Sequence, residues 1–221
     1  MTHTAPDYLI LGGGVIGLSV AYHLSHQGAS VRVLDAGEPG QASAAAAGML
    51  APLAEASEPG PFLDLALDSL RRYPTFVAAL SDAGGSDLSL QGPGMLRVAR
   101  SNAEEAALCR ALSWQPALGL PLQSLTGAEA RRLEPGLGGN VQAAVLSPHE
   151  KHVEPRRLIA ALSAACRAQD AKLITHSPAA DLETSAGRAH AVRTGSERHT
   201  FGTLVLAAGA WSRALGQQLG F

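Results

Sequence analysis

Four apolar residues, Tyr8-Leu9-Ile10-Leu11, run directly into Gly12-Gly13-Gly14-Val15-Ile16-Gly17. A short apolar run bounded by glycine predicts a strand buried on both faces, as in a parallel sheet. Behind the glycines, Ile16, Val20 and Leu24 recur at spacing four. This predicts a helix over Val15–Gln27, with Gly28 as its C-terminal glycine. A second apolar run, Val31–Leu34, ends in Asp35. Strand, helix and strand within about 30 residues form a β-α-β unit, and its right-handed crossover sets the two strands parallel.

Gly12, Gly14 and Gly17 carry the spacing G-x-G-x-x-G. The first glycine permits a tight turn, the second lets a pyrophosphate approach the backbone, and the third lets helix and strand pack closely. N–H groups at the helix start then face the diphosphate, helped by the helix dipole. Asp35 stands 18 residues beyond Gly17, near the offset at which an acid holds ribose hydroxyls. Glycine-rich loops are common in a chain with 24 glycines, so the flanking strand, helix and acid carry the weight of the argument. Together they point to dinucleotide binding. They do not choose between FAD and NAD, which share this unit.

Further along, Gly37–Gly48 is rich in Gly, Ser and Ala, and Met49-Leu50 follows it. A helix is predicted between about Phe62 and Ala83, with Leu63, Leu67 and Leu70 along one side and Gly84-Gly85 ending it. The middle changes character. Met95–Ala99 and Val141–Leu146 read as strands. Asn102–Leu112 reads as a helix capped by Asn102, and Thr126–Leu133 as a helix with a capping box. Pro155–Ala168 is a helix with proline in its first turn. Short strands are predicted at Lys172–Thr175, Ala179–Glu183, Ala189–Arg193, His199–Phe201 and Leu204–Leu206, then a last helix from near Ala210. Trp211 is expected to be a core anchor, with a direct ligand role as the alternative.

A net charge of −2 with no block of Lys or Arg argues against a nucleic-acid partner. No segment approaches the roughly 20 apolar residues that span a bilayer, and no secretory leader is evident, so the expected setting is cytoplasmic, with no membrane partner. Cys109 and Cys166 lie far apart and are expected to be free thiols. The His149/His152 pair has no third ligand at a clear spacing, and His23 and His26 fit a helix surface, so no metal site is expected. No nucleophile elbow or Ser-His-Asp pattern stands out.

Three further stretches resemble the D-amino-acid oxidase superfamily, and within it the glycine oxidase (ThiO) group. They are Gln41-Ala42-Ser43-Ala44-Ala45-Ala46-Ala47-Gly48-Met49-Leu50-Ala51-Pro52, His152-Val153-Glu154-Pro155 and Leu206-Ala207-Ala208-Gly209-Ala210-Trp211-Ser212. They occur in the family's order and, with the glycine motif, span nearly the whole chain. The resemblance implies FAD as cofactor. It also implies an α/β fold: a Rossmann-like FAD-binding domain with a central parallel sheet (1–90 and 150–221), plus part of an inserted, mostly antiparallel α+β substrate domain (91–149).

Carried over from that family, Gly12, Gly14, Val15, Ile16, Gly17, Asp35 and Ala36 border the adenosine and pyrophosphate. Ala42 and Ser43 lie beside the phosphates. Ala47, Gly48 and Met49 border the flavin ring, with Met49 nearest the substrate. Ala179, where relatives often carry Val, contacts the adenine side through its backbone, and Gly209 joins the cofactor contacts. Asp35 departs from the Glu of many relatives, which shortens its reach by one methylene. Gln41 stands near a position where many carry a basic residue.

The chemistry the resemblance implies is oxidative deamination of glycine or a similar small amino acid to a 2-oxo acid, ammonia and H₂O₂, with O₂ as acceptor. It includes the supply of iminoglycine for thiamine thiazole synthesis. In the family, the arginine that clamps the substrate carboxylate and the last flavin-contacting strand come after the position of Phe221, so no catalytic residue is assigned here. The alternatives are a D-amino-acid or sarcosine oxidase or dehydrogenase of the same superfamily, a non-catalytic flavin-binding fragment, and an NAD-binding protein. A homo-oligomer or a separate C-terminal half are the partner readings.

Overall fold

The computed structural model describes residues 5–84, 87–178, 181–185 and 187–220. The chain divides into two compact units, one of Met1–Ala47, Ala79–Leu88 and Pro155–Phe221, the other of Gly48–Ala78 and Ser89–Glu154.

The first unit opens with β1 (Tyr8–Leu11), α1 (Val15–His26), β2 (Val31–Leu34) and a short α2 (Ala42–Ala45). β1 pairs in parallel with β2 on one side and with the strand Thr203–Leu206 on the other. The strand Lys172–Ile174 continues the sheet beyond β2. The short apolar runs thus become the inner strands of a parallel sheet, where both faces need cover. Leu9, Leu11 and Leu34 cluster on one face with Leu182, Val192 and Leu215. α1 packs beside the helix Pro155–Ala168, where the buried Cys166 lies 3.5 Å from the Leu18 carbonyl. Burial pushes that thiol up to about 11. Both Cys166 and the exposed Cys109 are free thiols.

The stripe Ile16-Val20-Leu24 finds the helix α1 but not its buried face. The buried residues are Gly17, Leu18, Ala21, Tyr22 and Ser25, while Ile16 is 66% exposed. Close approach to the strand end excludes any side chain at Gly17. A second, antiparallel sheet in this unit is the meander Asp181–Ser185, Arg188–Thr194 and Glu197–Thr200. Glu183 pairs there with Arg193 and Arg198, each at 2.8 Å.

The second unit contains β3 (Met49–Leu50), α3 (Pro52–Glu55) and the part of α4 (Pro61–Gly84) up to Ala78. Leu63 of α4 is buried with Leu53 and Ala56. Three antiparallel strands form its main sheet, with Ala143–Ser147 between Met95–Ala99 and Gln123–Thr126. Gln123–Thr126 has the sequence QSLT, without apolar alternation, and pairing alone makes it a strand. The helix Asn102–Trp114 is capped not by Asn102 but by Ser101, whose extended backbone lets its hydroxyl accept from Glu104 N at 3.3 Å. The capping box forms as expected, with Thr126 Oγ1 accepting from Glu129 N at 3.2 Å and Glu129 accepting from Thr126 N at 2.8 Å. Back in the first unit, the last helix is Ser212–Gln217, preceded by a 3-10 turn at Gly209–Trp211. Among the described residues no helix is long and apolar enough to cross a membrane.

Candidate cofactor site

The glycines behave as their spacing requires. Gly12 leaves β1 with φ +108°, a conformation L side chains rarely adopt, and its N–H still bonds Leu34 O at 2.8 Å. A Cβ on Gly17 would stand 1.9 Å from Gly12 O, so only glycine lets α1 close onto the strand end. Gly14 is the N-cap, with no side chain of its own to occupy the helix mouth. The first intrahelical bond in this turn is Leu18 N to Gly14 O at 3.0 Å. The preceding N–H groups have no partner within the helix, which is what an anion at a helix start uses.

Asp35 is tied into this mouth. Its Oδ2 accepts from Gly13 N, and its Oδ1 accepts from Gly37 N at 2.7 Å and from Gln41 Nε2 at 3.1 Å. Its backbone continues the ladder beyond β2, with Asp35 N on Ile174 O and Ser177 N on Asp35 O, both at 2.9 Å. A carboxylate offers about four acceptor sites, so these three bonds orient the group and leave room for about one further donor, such as a ribose hydroxyl. Ser43, on α2, accepts from Val15 N at 3.0 Å through Oγ. It supplies the helix start with the oxygen that Gly14 lacks.

These groups surround a cleft of about 710 Å³ in the first unit. Gly12, Gly14, Val15 and Ile16 line it from the motif, and Asp35 and Ala36 from the end of β2. Ala42 and Ser43 line it from α2, and Gly209 from the turn after Thr203–Leu206. Gly17 lies buried behind that wall. Gly48 and Met49 belong to the second unit. There β3 holds Met49 opposite His152, with the Met49 side chain 55% exposed. Ala47 is exposed and is not part of the cleft lining, and Ala179 lies outside the described residues.

The expectation of a core anchor at Trp211 is wrong. Its side chain is 44% exposed and lines the cleft, because Gly209–Trp211 forms a 3-10 turn at the sheet edge rather than an inward-facing helix. Ser177, Pro178 and Gln218 also line the cleft and were not anticipated. Gln218 accepts from Leu182 N at 2.9 Å. No local pattern marks these residues; proximity in the fold brings them in. Among the described residues, no group of three or more His, Cys, Asp or Glu could hold a metal ion.

A glycine-lined helix mouth, an acid at the next strand end and an adjoining cleft fit a dinucleotide: side chains at Gly12 or Gly17 would collide with backbone, and Gly14 leaves the mouth open. Residues 7–221 match the family described as FAD dependent oxidoreductase (DAO), and the chain belongs to it. FAD is the cofactor of that family. The chain is 33% identical over 217 residues to a glycine oxidase of Bacillus licheniformis, covering 97% of this chain and 57% of that protein. It is 32% identical to a bifunctional ThiO/ThiG protein of Synechocystis, covering 96% of this chain and 31% of that one. The crystal structure of glycine oxidase from Geobacillus kaustophilus superposes with a TM-score of 0.92 at 30% identity, covering 99% of this chain and 59% of that chain. The chain thus spans somewhat more than half the length of the glycine oxidases it matches.

Proposed function

We propose that this protein is an FAD-dependent oxidase of glycine or a similar small amino acid, producing a 2-oxo acid, ammonia and H₂O₂ with O₂ as acceptor. The observation that carries the reading is the helix mouth of α1, with Asp35 tied to Gly13 N at its rim and the cleft beside it. The glycine oxidases among the relatives favour a small amino acid as substrate.

In this reading the first-turn N–H groups of α1 and the Ser43 hydroxyl receive the diphosphate. Asp35 accepts ribose hydroxyls, Ala36 and the backbone of Ala179 border the adenosine, and Gly209 approaches from the far wall. Ala47, Gly48 and Met49 border the flavin ring, with Met49 toward the substrate. FAD held there by the α1 N–H groups, Ser43 and Asp35 would supply the two-electron chemistry, as acceptor from the substrate α-carbon and donor to O₂. The chain's own contribution is positioning, water exclusion and a fixed set of N–H donors, which needs no acid–base residue in these segments. The ThiO/ThiG relative supports a place in thiamine thiazole synthesis, with iminoglycine as the product handed on. A cytoplasmic setting suits that role.

Purified protein is expected to be yellow and to release peroxide with glycine and not with bulkier D-amino acids. Tight NADH binding without flavin overturns the reading. Equal turnover of bulky D-amino acids moves it to another oxidase of the same family.

A further inference from the structure

Within the second unit, the segment after the Ala-rich loop is held by side chains far from it in sequence. Glu150 is fully buried, and its Oε1 accepts the backbone N–H groups of Leu53 at 2.7 Å and Ala54 at 3.0 Å. Arg97 donates to Leu53 O at 3.2 Å and to Gln115 Oε1 at 2.8 Å. Gln115, also fully buried, donates to the same Leu53 carbonyl at 2.7 Å. Both polar groups of the Leu53 backbone are therefore bonded to side chains.

The residues just after Glu150 grip the other end of the same segment. Lys151–His152 pairs with β3 in the register Met49↔His152 and Leu50↔Lys151, and Val153 N donates to Gly48 O at 3.0 Å. Gln91 exchanges backbone bonds with His152 at 2.8 and 2.9 Å and backs that strand. One stretch, 150–153, thus fixes 48–54 at both ends.

As a source of stability this arrangement is poor. Burial pushes the Glu150 carboxyl up from its ordinary range, against the opposing pull of the Ala54 and Leu53 amides and the Arg97 charge. Among the described residues, Arg97 Nε is buried with no hydrogen-bond partner. Well-packed apolar residues often serve as well as buried charged groups. What a carboxylate does and an apolar side chain cannot is hold two consecutive backbone N–H groups at a set place.

We infer that Glu150, with Arg97 and Gln115 holding the Leu53 carbonyl, is a positioning residue that sets where Gly48 and Met49 stand against the flavin ring and the substrate. The inference rests on the proposed function in taking Met49 to border both; Glu150 itself touches neither. It acts through the backbone of Leu53 and Ala54.

The test compares flavin-bearing wild type with Glu150→Ala and Glu150→Gln. The readouts are amide hydrogen exchange over 48–56, the visible spectrum of bound flavin, and steady-state glycine oxidation. In Glu150→Ala, exchange at Leu53 and Ala54 is expected to rise roughly tenfold or more. The flavin absorbance envelope shifts, and kcat/KM falls about tenfold or more, chiefly through KM. Glu150→Gln keeps an acceptor oxygen and is expected to stay close to wild type in all three. Should Glu150→Ala fail to fold, Gln115→Ala, which removes one bond to Leu53 O, is expected to move the same readouts in the same direction by less. A variant that melts lower while keeping wild-type spectrum and KM overturns the positioning role, as does unchanged exchange. Wild type without flavin overturns the proposed function instead, and exchange in the variants then judges the anchor alone.

Discussion

Gly17 shows how far one residue can constrain this fold. A methyl group there would meet Gly12 O at 1.9 Å, and neither backbone can yield without moving α1 off the sheet. Gly17→Ala is expected to destabilise the protein by about 1–3 kcal/mol or more, read from urea unfolding. Asp35 has a different role. Two backbone N–H groups and Gln41 already orient it, so its remaining acceptor site is preset for a ribose hydroxyl. Asp35→Ala is expected to weaken FAD binding by about 1.5–3 kcal/mol, roughly tenfold to a hundredfold in Kd, by calorimetric titration of apoprotein. Unchanged affinity there would remove the acid from the site. Both residues were legible from the chain because spacing and φ freedom are local. Trp211 was not, since nothing near it in sequence says which way a turn at a sheet edge will face.

At the scale of elements, the parallel sheet and the meander meet in one buried polar contact. Arg32 of β2 is buried, and its guanidinium lies 3.4 Å from His199 Nδ1, while Thr194 Oγ1 lies 2.9 Å from His199 Nε2. Burial first, and then the Arg32 charge, hold the imidazole below its usual range, against the weaker pull of Glu197. The unfolded chain titrates near 6.5, so between that value and the depressed native one the unfolded state binds the extra proton. The contribution is therefore complete above about pH 6.5 and is lost as pH falls toward the native value. Urea midpoints at about pH 7.5 and about pH 5.5 are expected to drop on acidification in wild type, and to drop less in His199→Gln. Element boundaries were legible where periodicity or caps were strong, as in the capping box at Thr126. They were not at Gln123–Thr126, where a neighbouring strand decides the conformation, or in the choice between Ser101 and Asn102, where backbone angle decides the cap.

For the molecule as a whole, a ligand that binds only the folded cleft stabilises it by mass action. FAD at about a hundred times its Kd is expected to add about 2.7 kcal/mol, visible as a concentration-dependent rise in Tm. NADH at the same concentration is expected to add nothing, and a matching rise with NADH counts against FAD. Sequence alone determined the β-α-β unit, the glycine turn and the acid at the end of β2. Each depends on which backbone angles a residue tolerates and how apolar residues recur over a few turns, and those are properties of a short window. Only tertiary structure decided which face of α1 is buried, that Trp211 opens onto the cleft, and that Glu150 caps Leu53 from 97 residues away. Burial and long-range pairing are settled by which segments compete for the same space, and that competition is not written in any stretch of the chain read by itself.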